Sequence, residues 1–139
     1  MSSDPTTDRA VRALRIALGV SAGACLALGV MGFAVALLTG TDSPALWPGV
    51  SLLAVGQLVM LVAVGAAGSG LHAVLRGAEP RPVTTRVRAT LGTLRTVLAV
   101  ALVLGVTAWI LVRPSAVVAV VACGLVGAQG VVALHLLRR

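Results

Sequence analysis

Charge is missing from most of this chain, and the places where it returns divide the sequence into four apolar runs. Between Arg15 and Asp42 lie 26 uncharged residues, between Asp42 and Arg76 33, between Arg95 and Arg113 17, and between Arg113 and Arg138 24. A hydrocarbon core of about 30 Å takes around 20 helical residues to cross, so each run is a candidate span. The spacing predicts an all-α membrane protein with four transmembrane helices in two helical hairpins, N-in/C-in. The expected spans are about 16–38, 48–74, 90–112 and 114–137, flanked by a disordered cytoplasmic tail over 1–8 and a basic cytoplasmic loop over 77–89.

Composition points the same way. The 139 residues are 58% hydrophobic and 11% charged, with a mean hydropathy of +1.05. Soluble chains carry roughly a quarter charged residues, so a water-soluble domain is excluded. One Phe, two Trp and no Tyr leave little aromatic bulk for a soluble core, and 16 Gly spread through the apolar runs suit close-packed helices in lipid.

The third run is the shortest. Its 17 uncharged residues supply only about 25 Å of helix, so this span is expected to start near Thr90 and to carry Arg95 within the cytoplasmic leaflet. Arg95 is expected to snorkel to anionic headgroups, a role that Arg95→Lys would preserve. The first run follows Arg9, Arg12 and Arg15, as the apolar part of a signal peptide follows its basic start. It continues from Ile16 to Leu38, well beyond the 7 to 15 residues or so of a signal, and is therefore read as a retained span.

Arginine sets the orientation. All 11 basic residues are Arg, and ten fall on one side: Arg9, Arg12, Arg15, Arg76, Arg81, Arg86, Arg88, Arg95, Arg138 and Arg139; only Arg113 falls on the other. Basic residues beside a span resist translocation, which places both termini and the middle loop in the cytoplasm. Trp47 and Trp109 both fall at the outer boundary, where indoles favour the headgroup level. The first outer loop, Thr39 to Pro48, holds Gly40, Asp42, Ser43 and Pro44. The second outer connection is a tight turn at Arg113 and Pro114, with Pro114 suited to the first turn of the fourth helix. In the middle loop Glu79, Pro80, Arg81 and Pro82 read as an extended segment, with Thr84 and Thr85 as candidate caps for the third helix. Thr7 or Asp8 serves the same purpose at the first.

Small residues recur at four-residue spacing and mark the faces where helices approach closely. The first helix offers Gly19, Gly23 and Ala27 on one stripe and Ser21, Cys25 and Gly29 on another; the fourth offers Ser115, Ala119, Cys123 and Gly127. Such stripes serve packing within the chain or association between copies. The endings Leu71, His72, Arg76 and Leu134, His135, Arg139 are alike. A duplicated hairpin would give this pattern, and so would the ordinary preference of membrane boundaries for His and Arg.

The chemistry is a record of absences. The acidic residues are Asp4, Asp8, Asp42 and Glu79, all outside the expected hydrocarbon, so no carboxylate sits at membrane depth for proton coupling. In length and span count the chain resembles the small multidrug-resistance transporters. Their activity depends on a carboxylate in the first helix; this first span has none, and the activity is not carried over. Cys25 and Cys123 have no ligand partners at suitable spacing and are expected to pack as small residues without a disulfide. No catalytic, cofactor-binding or metal-binding residues are expected, and no cofactor.

The polar side chains that remain are candidates for contacts. Gln57 and Gln129 are expected to hydrogen-bond between helices, because an amide facing lipid goes unsatisfied. Arg15, Arg76, Arg86, Arg88 and Arg95 are expected to meet lipid headgroups. His72 and His135 lie at helix C-terminal ends, where the helix dipole and the headgroups favour them. The net charge of +7 and pI near 11.8 point to anionic membrane lipids and not to nucleic acid, since stacking aromatics are missing. Arginine without lysine, in an Ala-, Val- and Gly-rich chain, suggests a high-GC bacterial genome and hence the bacterial inner membrane. The expected role is a non-enzymatic structural or accessory subunit with a protein partner or a homo-oligomeric contact; the alternative is a homo-oligomeric channel or small-solute facilitator, for which Gln57, Ser69 and Gln129 make a sparse polar lining.

Reporter fusions test the orientation. Fusions after Arg139 and between Gly77 and Arg86 should report cytoplasm, and one between Thr41 and Ser43 the exterior; an external signal after Arg139 would overturn the four-span arrangement.

Overall fold

Each of the four uncharged runs supplies most of one long helix. The structure, a computed structural model, describes residues 5–40, 42–43 and 46–138. It contains α1 (Pro5–Thr39), α2 (Leu46–Leu75), α3 (Pro80–Val112) and α4 (Val117–Arg138), the last entered through a single 3-10 turn, Pro114–Ala116. All four are long and apolar enough to cross a membrane, and all regular structure among the described residues is helical. The chain is thus a small four-span membrane protein.

The helix ends are set by backbone chemistry. α1 stops at Gly40, which takes a positive φ of 68° that side chains disfavour. α2 closes with a Schellman motif: Ala78 N–H donates to the Ala73 carbonyl and Gly77 N–H to the Val74 carbonyl, both at 3.0 Å, with Gly77 at φ 91°. At the other end α3 stops at Arg113, whose N–H still reaches the Trp109 carbonyl at 2.8 Å, and Pro114 opens the turn into α4.

Three boundaries differ from the sequence expectation. α3 begins at Pro80, so the basic loop expected over 77–89 shrinks to Gly77, Ala78 and Glu79, and the helix starts ten residues before Thr90. Pro80 and Pro82 occupy the first turn, where a missing N–H costs nothing because it has no intrahelical acceptor. Thr84 and Thr85 are not caps; their hydroxyls donate to the carbonyls of Pro80 and Arg81 at 2.9 Å, one turn back inside the helix. Likewise α1 begins at Pro5, so Thr7 and Asp8 lie within its first turn instead of capping it, and only residues 1–4 of the expected tail lie outside the described residues. Trp47 belongs to the first turn of α2 and not to the preceding loop.

Successive helices run antiparallel. Gly70, Gly68 and Gly56 of α2 face Leu14, Leu18 and Leu28 of α1, and Gly70 also faces Val87 of α3 while Gly105 of α3 faces Leu52 of α2. Gly130, Gly127 and Gly124 of α4 face Leu98, Leu102 and Val106 of α3. α2 is the hub: it packs extensively on α1 and on both α3 and α4, whereas α1 touches α3 and α4 only along narrow strips.

The buried face of α2 explains this. Gly49, Leu53, Gly56, Met60, Ala63, Ala67, Gly70 and Val74 are all buried and alternate at spacings of four and three, a 3.5-residue seam characteristic of left-handed helix packing. Every seventh residue on it, Gly49, Gly56, Ala63 and Gly70, is Gly or Ala. The 3-10 turn and α4 repeat the pattern with Ala116, Val120, Cys123, Gly127, Gly130 and Leu134, all buried. The gaps are filled closely: a methyl group at Gly130 would fall 2.7 Å from Met60 Cε, and one at Gly70 2.7 Å from Val87 Cγ2. Lipid supplies no hydrophobic force between helices, so this contact density supplies the attraction.

The four-residue stripes behave differently from one another. Ser21 and Cys25 are buried and Gly29 is half-buried toward α2, whereas Gly19, Gly23 and Ala27 are exposed. On α4 the stripe starts exposed at Ser115 and ends buried at Cys123 and Gly127. A four-residue step advances about 40° beyond a full turn, so such a stripe drifts around the helix and leaves a straight interface.

This separates two glycines. A side chain at Gly127 would meet Leu102 at 2.8 Å, while Gly23 has nothing within 4 Å. Gly127→Ile is expected to cost about 1–3 kcal/mol by overpacking, seen as a lower thermal midpoint at unchanged mass in detergent. Gly23→Ile should leave that midpoint within the scatter of wild type; equal effects would show that the seam is not where helix contacts are made.

Candidate functional site

A part-buried polar contact joins α3 to α4. Arg95 lies between Leu91 and Leu98, both buried on the face of α3 that meets its neighbours, and His135 follows the fully buried Leu134 on α4. Both polar side chains are half-buried, and Arg95 Nη1 lies 2.7 Å from His135 Nδ1. A guanidinium can only donate, so Nδ1 must accept. That assigns the neutral tautomer of His135 with its proton on Nε2.

Among the described residues no carboxylate pairs with this arginine. Glu79 precedes it by 16 residues, about 24 Å along the helix, and Asp8 and Asp42 lie toward the two ends of α1. Arg95 is therefore tethered sideways to α4 through a neutral acceptor. The remaining candidate arginines, Arg15, Arg76, Arg86 and Arg88, are exposed. Arg88 lies two turns before Arg95, with Gly92 between them; a shallow polar groove of about 310 Å³ runs here, lined by Arg88, Gly92, Thr93 and Thr96.

The two glutamines part company. Gln57 is half-buried and lies over Gly29 of α1, its amide nitrogen 2.9 Å from where a side chain would begin, while its backbone carbonyl lies 3.9 Å from Cys25 Sγ. Gln129 is exposed in a groove of about 330 Å³ between α1 and α4, beside Gly23, Ala24, Ala27 and Ala133. Its amide meets no partner among the described residues. Ser69 faces outward on α2, its hydroxyl donating to the Ala66 carbonyl at 3.1 Å, so these polar residues do not line one path through the bundle.

Cys25 and Cys123 are both buried and free. Cys25 lies beside Gln57 and Cys123 beside Gly49, eight residues apart on α2 and hence about 12 Å along its axis. No three His, Cys, Asp or Glu side chains come together among the described residues. At the opposite end Trp109 Nε1–H donates to Ser51 Oγ at 3.0 Å, and Ser51 to the Pro48 carbonyl at 3.0 Å, so this indole is satisfied by the protein while Trp47 is exposed. His72 is exposed, unlike His135, so the two similar helix endings have different surroundings. A groove of about 510 Å³ between α3 and α4 is almost wholly apolar.

The sequence reading named both Arg95 and His135 but not their contact. A signal was present: the turn at Arg113 and Pro114 folds α3 back on α4, which brings residues about twenty positions either side of it to one level. The chain matches no protein-family model, no curated protein and no solved structure.

Proposed function

We propose that this chain is a non-enzymatic structural or accessory subunit of an assembly in a bacterial inner membrane, with both termini and the Gly77–Glu79 connection in the cytoplasm. The ten-to-one arginine distribution supports the orientation, and anionic lipids are the natural counter-charge for that face. The observation that carries the role is the groove between α1 and α4. It exposes Gly23 and Ala27, which let another backbone approach closely, and it holds the unpartnered amide of Gln129.

An amide left in hydrocarbon forfeits its hydrogen bonds at a cost of several kcal/mol. A transmembrane helix of a partner subunit laid along Gly23 and Ala27 would restore them while gaining dense contact. The scattering of Gln57, Ser69 and Gln129 over different faces counts against a pore within one chain; a facilitator would have to form between copies.

Purification in mild detergent, with mass measurement and identification of co-purifying proteins, tests the role. A stoichiometric partner that is lost on Gln129→Leu or Gly23→Ile, with the fold's thermal midpoint retained, supports the reading. A homo-oligomer dissociated by the same substitutions favours the channel or facilitator. A lone monomer indifferent to both substitutions would falsify the proposal.

A further inference from the structure

The Arg95–His135 contact leaves donors without acceptors. Of the five N–H groups of Arg95, one direction is taken by His135 Nδ1 at 2.7 Å. Because Nδ1 accepts, the proton of the neutral imidazole lies on Nε2, a second donor held in place by the first contact. Among the described residues neither donor has an acidic side chain as a hydrogen-bond partner. Arg88 adds a third set of donors from two turns away on α3, in a polar groove that it lines with Ala89, Gly92, Thr93 and Thr96, the last of which adjoins Arg95 in the sequence. The hydroxyls of Thr93 and Thr96 are already committed to the carbonyls of Ala89 and Gly92, both at 3.2 Å, so they do not supply the missing acceptors.

We propose that Arg95 and His135, with Arg88 across Gly92, form a binding site for a phosphate group, with the guanidinium of Arg95 and Nε2–H of His135 donating to its oxygens. A phosphate fits because its several unshared oxygens accept from planar guanidinium forks and from an imidazole N–H at once, and its charge offsets an arginine that has no carboxylate. His135 sets the direction of the Arg95 side chain, and Arg95 sets the tautomer of His135, so each prepares the other to donate. The ligand is supplied either by a phospholipid headgroup at this end of the span or by phosphate in solution. The inference holds whichever side of the membrane this end faces and whether or not the α1–α4 groove binds a partner.

The test uses the full chain in a neutral maltoside detergent and measures binding of phosphatidylglycerol, phosphatidylcholine and inorganic phosphate. Intact-complex mass spectrometry and thermal midpoint give the affinity, and ¹⁵N-histidine spectra report Nε2 of His135 directly. His135→Asn keeps a side-chain acceptor for Arg95 and removes the Nε2–H donor, so it is expected to fold and to weaken phospholipid binding at least tenfold. Arg95→Gln should do the same, and Arg95→Lys should weaken it several-fold despite retaining the charge, because an ammonium lacks the planar fork. Arg81→Gln, at the start of α3, should change binding less than twofold. Saturation by either phospholipid with no effect of inorganic phosphate assigns a headgroup site; displacement of lipid by inorganic phosphate assigns a soluble anion to the same residues. Equal losses in Arg81→Gln and Arg95→Gln, or an Nε2 signal of His135 unmoved by all three ligands, would show general surface charge and overturn the site.

Discussion

Helices that share a solvent as apolar as themselves gain nothing by leaving it, so the arrangement of this chain depends on how closely α2 lets its neighbours approach. Gly49, Gly56, Ala63 and Gly70 recur every seven residues along its buried seam, with Leu53, Met60, Ala67 and Val74 between them. The small positions admit side chains from α1, α3 and α4, and the larger ones fill the spaces on either side. Residues seven apart stay on one face when helices wrap at 3.5 residues per turn, so the seam remains in contact over its whole length. α2 can then serve three partners at once, while α1, which packs chiefly on α2, leaves a groove beside α4.

A second constraint acts on polar atoms, which find no water within the bilayer. Trp109 passes its N–H to Ser51, which passes its own proton to the Pro48 carbonyl; Arg95 gives an N–H to His135. These contacts tie α3 to α2 near one end of the bundle and α3 to α4 toward the other, and so fix how the helices are shifted along one another where apolar packing alone would permit sliding. Among the described residues Ser21 and the two glutamine amides escape the rule. Ser21, 1% exposed, has a hydroxyl with no partner, a loss of about 1–3 kcal/mol, and the Gln129 amide opens onto the α1–α4 groove. The Ser21 hydroxyl is sealed inside the protein, whereas the Gln129 amide is accessible from outside.

The four helices were legible because the interval between charges is a direct measure of what can enter hydrocarbon. Their ends were less so. Pro80 and Pro82 read as an extended segment because proline lacks an N–H, yet the first turn of a helix makes no use of that N–H. Val83, Val87 and Leu91, spaced four apart, were the signal that helix continued below Thr90, and Val83 and Val87 pack against Gly70 of α2. The small-residue stripes were found at the wrong period: a spacing of four picks out Gly19, Gly23 and Ala27, which face outward, as readily as Ser21, Cys25 and Gly29, whereas the alternation of four and three on α2 and α4 singles out the contact face. The Arg95–His135 contact joins residues forty apart and depends on where the α3–α4 turn falls, information that no local pattern around either residue contains.

The length of the third span takes on a different meaning once that contact is known. An arginine that snorkels adapts its side chain to the bilayer, and the helix can shift along the membrane normal at little cost. Arg95 is instead bonded to a neighbour on α4, half-buried between Leu91 and Leu98, with 17 uncharged residues between it and Arg113. That stretch is only about 25 Å long, shorter than a typical hydrocarbon core. Since the tether restricts how far the charge can reach, the bilayer must bring its polar layer inward to Arg95 or a polar group must travel to it. The polar groove lined by Arg88, Ala89, Gly92, Thr93 and Thr96 runs along α3 toward the arginine-rich end, whereas the α3–α4 groove lined by Leu102, Val103, Val121 and Leu125 is almost wholly apolar and gives a polar group no route.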